Sequence, residues 1–216
     1  TAQMVALSSL QLSALSTAQL SQLSDRQIQA IEAADVVGLT TQQLVSLSND
    51  QVIALTTAQV SALKVTQVSA LLTSQIESME KVDMAVMSSA QIMALTTAQI
   101  KAMVADQVAA LRTDQVAAMK SDQLPALDAS DVESFTTAHM VALSSAQLSA
   151  LTTAQLARLS DRQVQAIESA DIPGLTTSQV VALTNDWIAA MTTAQVSSLK
   201  PVQVPAFTTQ QFTAIE

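Results

Sequence analysis

The amino-acid sequence repeats every eight residues without interruption. Read from Gln3, each octad contains Gln, a large aliphatic residue, a variable residue, a small residue, a second large aliphatic residue, two Ser/Thr positions and a second variable residue. The first aliphatic column runs from Met4 to Phe212 and the second from Leu7 to Ile215, and neither is broken in 27 octads. The glutamine column departs from Gln at Asp35, Asp83, Asp131, His139, Asp171 and Trp187. Because no insertion or deletion shifts the register, we expect residues 1–216 to form a single continuous repeat array.

A longer repeat is superimposed on the octads. Residues 1–80 match residues 137–216 at 52 of 80 positions, an offset of seventeen octads. Departures from the consensus recur with it, since the tetrapeptide Ser24–Gln27 returns as Ser160–Gln163 and Gly38 returns as Gly174. We therefore expect this chain to be a window on a longer array with a higher-order unit of about 136 residues.

A period of eight cannot belong to one continuous α-helix. At about 100° per residue the apolar stripe would slip by about 80° in every octad, more than supercoiling absorbs. The helix must therefore end once per octad, and segments such as Thr56-Thr57-Ala58-Gln59 supply the signal for a new start. This Ser/Thr-x-x-Gln pattern is a capping box, in which the hydroxyl accepts from the backbone three residues later and the glutamine reaches back.

A strand is the competing interpretation, because Val, Ile and Thr are frequent. The two aliphatic columns, however, are three and then five residues apart, whereas one face of a strand needs even spacing. Pro125, Pro173 and Pro205 stand against a regular helix, while Pro201 follows a cap position where helices accept proline. We predict helices, with some octads 3₁₀ or irregular.

A helix of one and a half turns is not stable alone, so neighbouring octads must stack. The two aliphatic columns would form the core, and the small column, for example Ala54 and Ala62, would allow close approach of helices. The variable column, which accepts residues as different as Glu77 and Pro125, would face solvent. The predicted fold is all-α: an α-solenoid, or superhelix, of 27 very short capped helices, one per octad.

Composition excludes several classes of function. Nine basic and eighteen acidic residues give a net charge of −9, which argues against nucleic acid as a partner. No apolar run is long enough for a membrane-spanning helix, so we expect no membrane insertion. The chain has one histidine and no cysteine, and it contains no phosphate-binding loop, zinc-ligand spacing or Ser/His/Asp arrangement. Carboxylate-pair hydrolysis stays formally open, but acidic pairs repeated in an array indicate structure. We predict no enzyme activity and no cofactor.

Three residue types in the array have both a functional and a structural interpretation. His139 is either a metal or haem ligand or, as we favour, a substitution within a cap. Methionines could suggest a metal or haem site, but five of them occupy the second aliphatic column and are expected to fill the core. Trp187 either packs against a neighbouring coil or marks a contact surface.

Four octads replace the capping box with a pair of acidic residues. The pairs recur after six, six and five octads and are Glu32/Asp35, Glu80/Asp83, Asp128/Asp131 and Glu168/Asp171. These residues could be alternative caps, since carboxylates interact favourably with helix N-termini. They could be calcium ligands, or they could mark one side of a superhelix with five or six octads per turn. Two carboxylates are too few for calcium, so we predict caps or turn markers and no metal site.

The tiled phrases Leu-Thr-Thr-Ala-Gln-Val (residues 55–60) and Leu-Ser-Ser-Ala-Gln-Leu (residues 143–148) resemble the repeat tracts of very large secreted bacterial surface proteins. Those proteins are often described as adhesins, haemagglutinins or haem-utilisation proteins, and the resemblance implies an extracellular, structural or adhesive role. For haem this chain offers no ligand set. The first phrase is also similar to the start of TAL-effector DNA-binding repeats, but their longer units, Gly-containing loops and basic stripe are absent here.

Two functions from different classes remain. The first is a non-enzymatic structural segment of an extracellular bacterial surface protein, a fibre or filament that self-associates or contacts other surface proteins. The alternative is an α-solenoid scaffold that binds a protein or peptide partner. A binding groove needs a contiguous aromatic or uniformly charged patch, and the variable column is mixed, which favours the structural role.

Overall fold

The computed structural model describes residues 2–215, in which every regular element is a helix. The chain divides into two compact units, Thr1–Ala110 and Leu111–Glu216. The first unit contains α1 (Ala2–Val5), α2 (Ser9–Ser13), α3 (Thr17–Leu20), α4 (Asp25–Gln29), α5 (Ala33–Val36), α6 (Thr41–Val45), α7 (Asn49–Ile53), α8 (Thr57–Ala62), α9 (Val65–Val68), α10 (Thr73–Ser78), α11 (Lys81–Val86), α12 (Ser89–Ala94), α13 (Thr97–Lys101) and α14 (Ala105–Ala109).

The second unit continues with ten α-helices and three 3₁₀ helices, labelled η. They are α15 (Thr113–Ala118), η1 (Leu124–Ala126), α16 (Ala129–Val132), α17 (Thr137–Ala142), α18 (Ser145–Ala150), α19 (Thr153–Leu156), α20 (Asp161–Ala166), η2 (Ile172–Gly174), α21 (Thr177–Ala182), α22 (Asn185–Ala190), α23 (Thr193–Ser197), η3 (Val204–Ala206) and α24 (Thr209–Phe212). Within residues 2–215 every octad therefore contains one short helix, as the sequence predicts.

The three 3₁₀ helices are the octads that carry a proline after the first aliphatic residue. Pro125, Pro173 and Pro205 lie at the centre of η1, η2 and η3. Proline lacks the N–H that the α-helical ladder needs, and its ring crowds the preceding turn. In η1 and η2 the shorter 3₁₀ turn still buries both large apolar residues of the octad, whereas in η3 Val204 is exposed and Phe207 is partly exposed.

Most α-helices begin and end through local interactions within their own octad. At α8 the Thr56 backbone is extended, with φ −78° and ψ 155°, and its hydroxyl accepts from the Gln59 N–H at 3.3 Å. The Gln59 Oε1 accepts in return from the Thr56 N–H at 2.8 Å, which completes the predicted capping box. The helix ends at Leu63, which returns to φ −56° and ψ 138°. Where the cap position holds Lys64 or Leu72, the glutamine still accepts from the backbone N–H and only the hydroxyl half is lost.

Helices stack in a superhelix with between three and four octads per turn. In the first unit α2 packs on α5, α5 on α8 and α8 on α11, and each step is three octads. The second unit shows the same step, since α17 packs on α20 and α20 on α22. Glutamine side chains in both units reach carbonyl groups four octads earlier, so each octad lies across the junction of two octads in the preceding turn. The alternative in which the acidic pairs mark a superhelix of five or six octads per turn is therefore wrong, because acidic octads five or six apart are not one turn apart.

The two aliphatic columns form the core of both units. The first column is buried at every position from Met4 to Ile188, and the second column is buried over most of the same length. Met79, Met87, Met103 and Met119 are buried core residues, as predicted, and Met191 is partly exposed. Fully burying one such side chain contributes about 1.5–3 kcal/mol, so stacking supplies the stability that a single turn of helix lacks.

Candidate functional site

The most regular polar feature of the chain is a ladder of buried glutamine side chains, the glutamine ladder. At least fifteen glutamines donate from Nε2 to the carbonyls of residues 31 and 28 positions earlier, at distances of 2.7–3.2 Å. These carbonyls belong to the two aliphatic residues of one octad, which lie at and just beyond a helix end where intrahelical partners run out. Gln59, for example, joins Ile28 and Ile31 while its Oε1 caps its own helix.

The sequence predicts only half of this arrangement. The capping pattern indicates the bond from the glutamine to its own octad, and a glutamate could make that bond equally well. The column holds glutamine and never glutamate, which is the signal that the amide N–H₂ group is also used. Its acceptors belong to the octad four units earlier in the chain, and that relation becomes visible only with the superhelix.

His139 occupies a glutamine position and reproduces both functions of the amide. Its Nδ1 accepts from the Thr136 N–H at 3.2 Å, and its Nε2 lies 2.7 Å from the Leu111 carbonyl, so the ring carries its proton on Nε2. Burial lowers the pKa of His139, which keeps the ring neutral. The structure thus places His139 as a cap substitution, with both ring nitrogens engaged by the backbone.

Trp187 fills the ladder position without taking over the hydrogen bonds of the amide. Thr184 still caps the helix by accepting from the Trp187 N–H at 3.1 Å. The indole is buried, with 2% of its surface exposed, and its Nε1 has no hydrogen-bond partner among the described residues. Of the two interpretations, packing within the unit is therefore the one realised.

Asp35 and Asp171 replace the amide donor with an acceptor, and they turn to a different partner. Asp35 Oδ1 accepts from the Ser9 N–H at 2.7 Å, and Asp171 Oδ1 accepts from the Ser145 hydroxyl at 2.7 Å. Both partners lie 26 positions earlier, at the first residue of a helix on the preceding turn. Asp35 therefore satisfies a backbone N–H at a helix start one turn away, where negative charge is favourable, and Asp171 binds the hydroxyl of the equivalent residue.

A glycine near each of these aspartates allows the backbones of the two successive turns to approach closely. Gly38 follows Asp35 by three residues, and a Cβ at Gly38 would lie 2.2 Å from the Ser9 carbonyl oxygen. A Cβ at Gly174 would lie 2.3 Å from the Ser145 carbonyl oxygen. The recurrence of Gly38 as Gly174 thus has a packing cause, because each glycine accompanies an aspartate that reaches across the turn.

Asp83 has neither the cross-turn hydrogen bond of Asp35 and Asp171 nor the glycine that accompanies it. The residue three positions later is Val86 rather than glycine, and Asp83 Oδ2 has no hydrogen-bond partner in residues 2–215. The side chain is 1% exposed. Burial, and secondarily the charge of Glu80, raises the pKa of Asp83 from 3.8 to about 6, although a hydrogen bond from the Glu80 backbone acts in the opposite direction.

Asp131 is held within its own octad. Its Oδ2 accepts from the Asp128 N–H at 3.2 Å, the bond that Gln Oε1 makes elsewhere. Burial raises the pKa of Asp131 as well. Asp131 is therefore a cap of the predicted kind, whereas Asp35 accepts from a backbone N–H, and Asp171 from a serine hydroxyl, of the neighbouring turn.

The other members of the acidic pairs do not form a cation cage. Glu32 and Glu80 are N-cap residues whose side chains make no capping hydrogen bond. Within the described part of the chain, no group of three or more Asp, Glu, His or Cys side chains comes together in a way that could hold a metal ion. The expectation that the pairs bind no calcium stays a prediction.

Comparison with known families places these features in one pattern. Four segments match the model of the ALTTAQ repeat, at residues 28–65, 76–113, 124–161 and 164–201. Each segment starts seven residues before one of the four acidic departures at positions 35, 83, 131 and 171, so the acidic octad has a fixed place in the matched unit. No curated protein matches the chain. In residues 2–215 no helix has the length and apolarity needed to cross a bilayer. Because the four segments cover more than half of the sequence, the chain belongs to the ALTTAQ repeat family.

Proposed function

We propose that this chain is a non-enzymatic structural segment of an extracellular bacterial surface protein, acting within a fibre or filament. The observation that carries the proposal is the glutamine ladder. Each turn in a unit is joined to the preceding one by buried hydrogen bonds that recur in almost every octad, a construction that suits resistance to pulling. His139 and most of the described glutamines are engaged by backbone groups, so these polar side chains serve the connection between turns.

The location can be tested on intact cells of the source organism. An antibody raised against this array should label unpermeabilised cells, and protease added outside should remove the signal. The cytoplasmic proteins of the same cells serve as the control for lysis. Labelling that requires permeabilisation, with protection from external protease, would contradict a surface location.

The mechanical role can be tested by pulling single molecules. We expect high resistance followed by stepwise extension in multiples of one octad or of a few octads, because each turn depends on its neighbour. Gln59→Glu should lower the first unfolding force, since it removes a donor that joins two turns. Unfolding at the forces typical of a non-mechanical helical domain would contradict the proposal.

The alternative function, a scaffold for a peptide partner, has one observation in its favour. Val82 and Val104 are exposed on neighbouring turns of the first unit and line a shallow groove with Met79, Lys81 and Asp106. The groove combines apolar surface with the basic Lys81 and the acidic Glu80 and Asp106, a mixture that suits a peptide partner. Recovery of one specific peptide, with loss of binding in Val82→Asp, would favour this function over a structural one.

A further inference from the structure

Side chains separated by 25 positions face one another on successive turns of each unit. Lys81 Nζ lies 3.4 Å from Asp106 Oδ2 in the first unit, and Arg158 lies 2.9 Å from Glu133 Oε1 in the second. Both pairs combine opposite charges. Surface residues that are 25 positions apart are therefore expected to be neighbours on successive turns.

The same offset brings carboxylates together in one groove of the first unit. Asp25 and Asp50 are separated by this offset, and both line the groove, as do Glu80 and the buried Asp83. We call it the acidic groove; its volume is about 370 Å³, and its other lining residues are Gln29, Ile53, Ala54, Leu55, Thr56 and Thr57. None of these described residues is basic, so the groove carries negative charge without an internal counter-charge.

Asp83 leaves this groove short of a hydrogen-bond donor. At the next ladder position, Gln91 donates to the carbonyls 31 and 28 positions earlier, and the equivalent carbonyls for Asp83 belong to Val52 and Leu55. An ionised aspartate has no N–H to offer them, and Leu55 itself lines the groove. Asp83 Oδ2, 1% exposed, also lacks a partner. The Val52 carbonyl still accepts from the Leu55 N–H, so the acceptor shown without a donor is Asp83 Oδ2. Buried polar groups are normally paired.

The fold shows why Asp83 is not satisfied from within the chain. Asp35 reaches the residue 26 positions earlier because Gly38 lets the two turns approach. The corresponding partner of Asp83 is Thr57, which lines the groove, but Val86 stands where the glycine would be. Thr57 and Asp83 both line the open groove between these two turns, and no hydrogen bond joins them in the described part of the chain.

We propose that the acidic groove binds a linear polyamine, one ammonium group of which supplies the donor that Asp83 lacks. An ammonium group has three donors and no acceptor, which matches a site made of carboxylates and a carbonyl. The methylene segments of such a ligand would lie along Ile53, Ala54 and Leu55, as lysine stems do on apolar surface. The carboxylates of Asp25, Asp50 and Glu80 are spread over three turns, an arrangement that suits a ligand with spaced charges. Calcium instead requires six to eight oxygens around one point.

A second groove offers an internal comparison. In the second unit Asp161 and Asp186 recur at the same offset and line a groove with Gln165, Ala189 and Ala190. Its described lining contains two carboxylates instead of four, and no unpaired buried carboxylate is among them. We expect this groove to bind a polyamine at least tenfold more weakly.

The test is calorimetric titration of the full chain with spermidine at pH 7.5 and moderate salt, compared with variants. We expect saturable binding of one spermidine, reduced at least tenfold in Asp83→Gln and several-fold in Asp50→Asn. Asp83→Gln restores the ladder donor and should raise the melting temperature, so its loss of binding cannot come from unfolding. Asp186→Asn, the matched change in the second groove, should leave the main binding event unchanged.

Three results would overturn the proposal. One is the absence of saturable spermidine binding to the unmodified chain. Another is equal competition by magnesium or calcium at matched ionic strength, which would mean simple charge screening or a metal site. The third is selective binding of N-acetyl-lysine amide in place of spermidine, which would assign the groove to a lysine side chain of a partner protein. Binding should also weaken at pH 5, where Asp83 becomes protonated and its carboxylate charge is lost.

Discussion

At the scale of single residues, the fold depends on a side chain with two different ends. The glutamine oxygen closes a capping box in its own octad, and the nitrogen closes a hydrogen bond to the preceding turn. Substitutions at this position show how each end is replaced. Histidine reproduces both ends through its two ring nitrogens, and aspartate keeps an acceptor but loses the donor.

The first prediction concerns this donor. Gln59→Glu keeps the cap acceptor but places a buried charge, without an N–H, against the Ile28 and Ile31 carbonyls. We expect a loss of about 3–5 kcal/mol in unfolding free energy, measured by urea denaturation. Thr56→Ala, which removes only the hydroxyl half of the same box, should cost about 1 kcal/mol. Equal costs for the two variants would mean that the nitrogen contributes nothing.

The second prediction is a pH dependence at Asp83. Its folded pKa is raised from 3.8 to about 6, so its protonated form favours folding below pH 4 and that contribution is lost as the pH rises through 6. Asp83→Gln should therefore stabilise the chain by about 3 kcal/mol at pH 7.5, at 1.36 kcal/mol per pKa unit. The gain should shrink towards pH 4. Because all other carboxylates are common to both proteins, the difference between their unfolding free energies isolates Asp83; a difference independent of pH would refute the shift.

The third prediction separates core from surface. Leu111 is 3% exposed in the second aliphatic column, whereas Ala109, in the variable column, is exposed. Leu111→Asp should cost several kcal/mol because it leaves a charge unpaired in the core, and Ala109→Asp should change stability by less than about 1 kcal/mol. Thermal melts followed by circular dichroism would reverse the assignment of faces if they gave the opposite order.

At the scale of the element, helix length and type follow from local chemistry. The capping pattern and the period predict one short helix per octad, and the structure confirms it because both signals act within eight residues. The 3₁₀ character of η1 to η3 has an equally local cause in Pro125, Pro173 and Pro205. The role of Gly38 could not be predicted in the same way, because the atoms it makes room for belong to Ser9 on the preceding turn.

The fourth prediction tests that contact. Replacing glycine with alanine without a backbone conflict normally stabilises a protein slightly. Here the new Cβ would lie 2.2 Å from the Ser9 carbonyl oxygen, so Gly38→Ala should destabilise by about 1–3 kcal/mol. Gly174→Ala should behave in the same way in the second unit. The test is the sign of the change in unfolding free energy, measured by urea denaturation. Stabilisation in either variant would show that the two turns do not approach closely at that glycine.

At the scale of the whole molecule, each unit is a superhelix whose pitch is set by contacts that no short sequence window contains. The all-α solenoid could be predicted, since a broken helix with two unbroken aliphatic columns can bury them only by stacking. The number of octads per turn could not be predicted, and the alternative of five or six was wrong because the acidic pairs do not mark equivalent positions. The inter-turn hydrogen bonds of Gln59 and the unpaired carboxylate oxygen of Asp83 depend on the number of octads per turn. They could therefore not be predicted from the sequence either.

The central claim is that the octad is the structural unit of this chain, with most octads tied to the preceding turn by their glutamine. Deleting one octad and deleting one residue inside it test this claim most directly. Removal of residues 57–64 keeps both aliphatic columns and the ladder in register, because every later glutamine still meets a pair of aliphatic carbonyls. Removal of Ala58 alone separates Thr56 from Gln59 by the wrong distance and misaligns the ladder beyond it. Thermal unfolding should show a cooperative transition with a modestly lower midpoint for the octad deletion and a severe loss for the single deletion. Equal destabilisation by the two deletions would contradict the account.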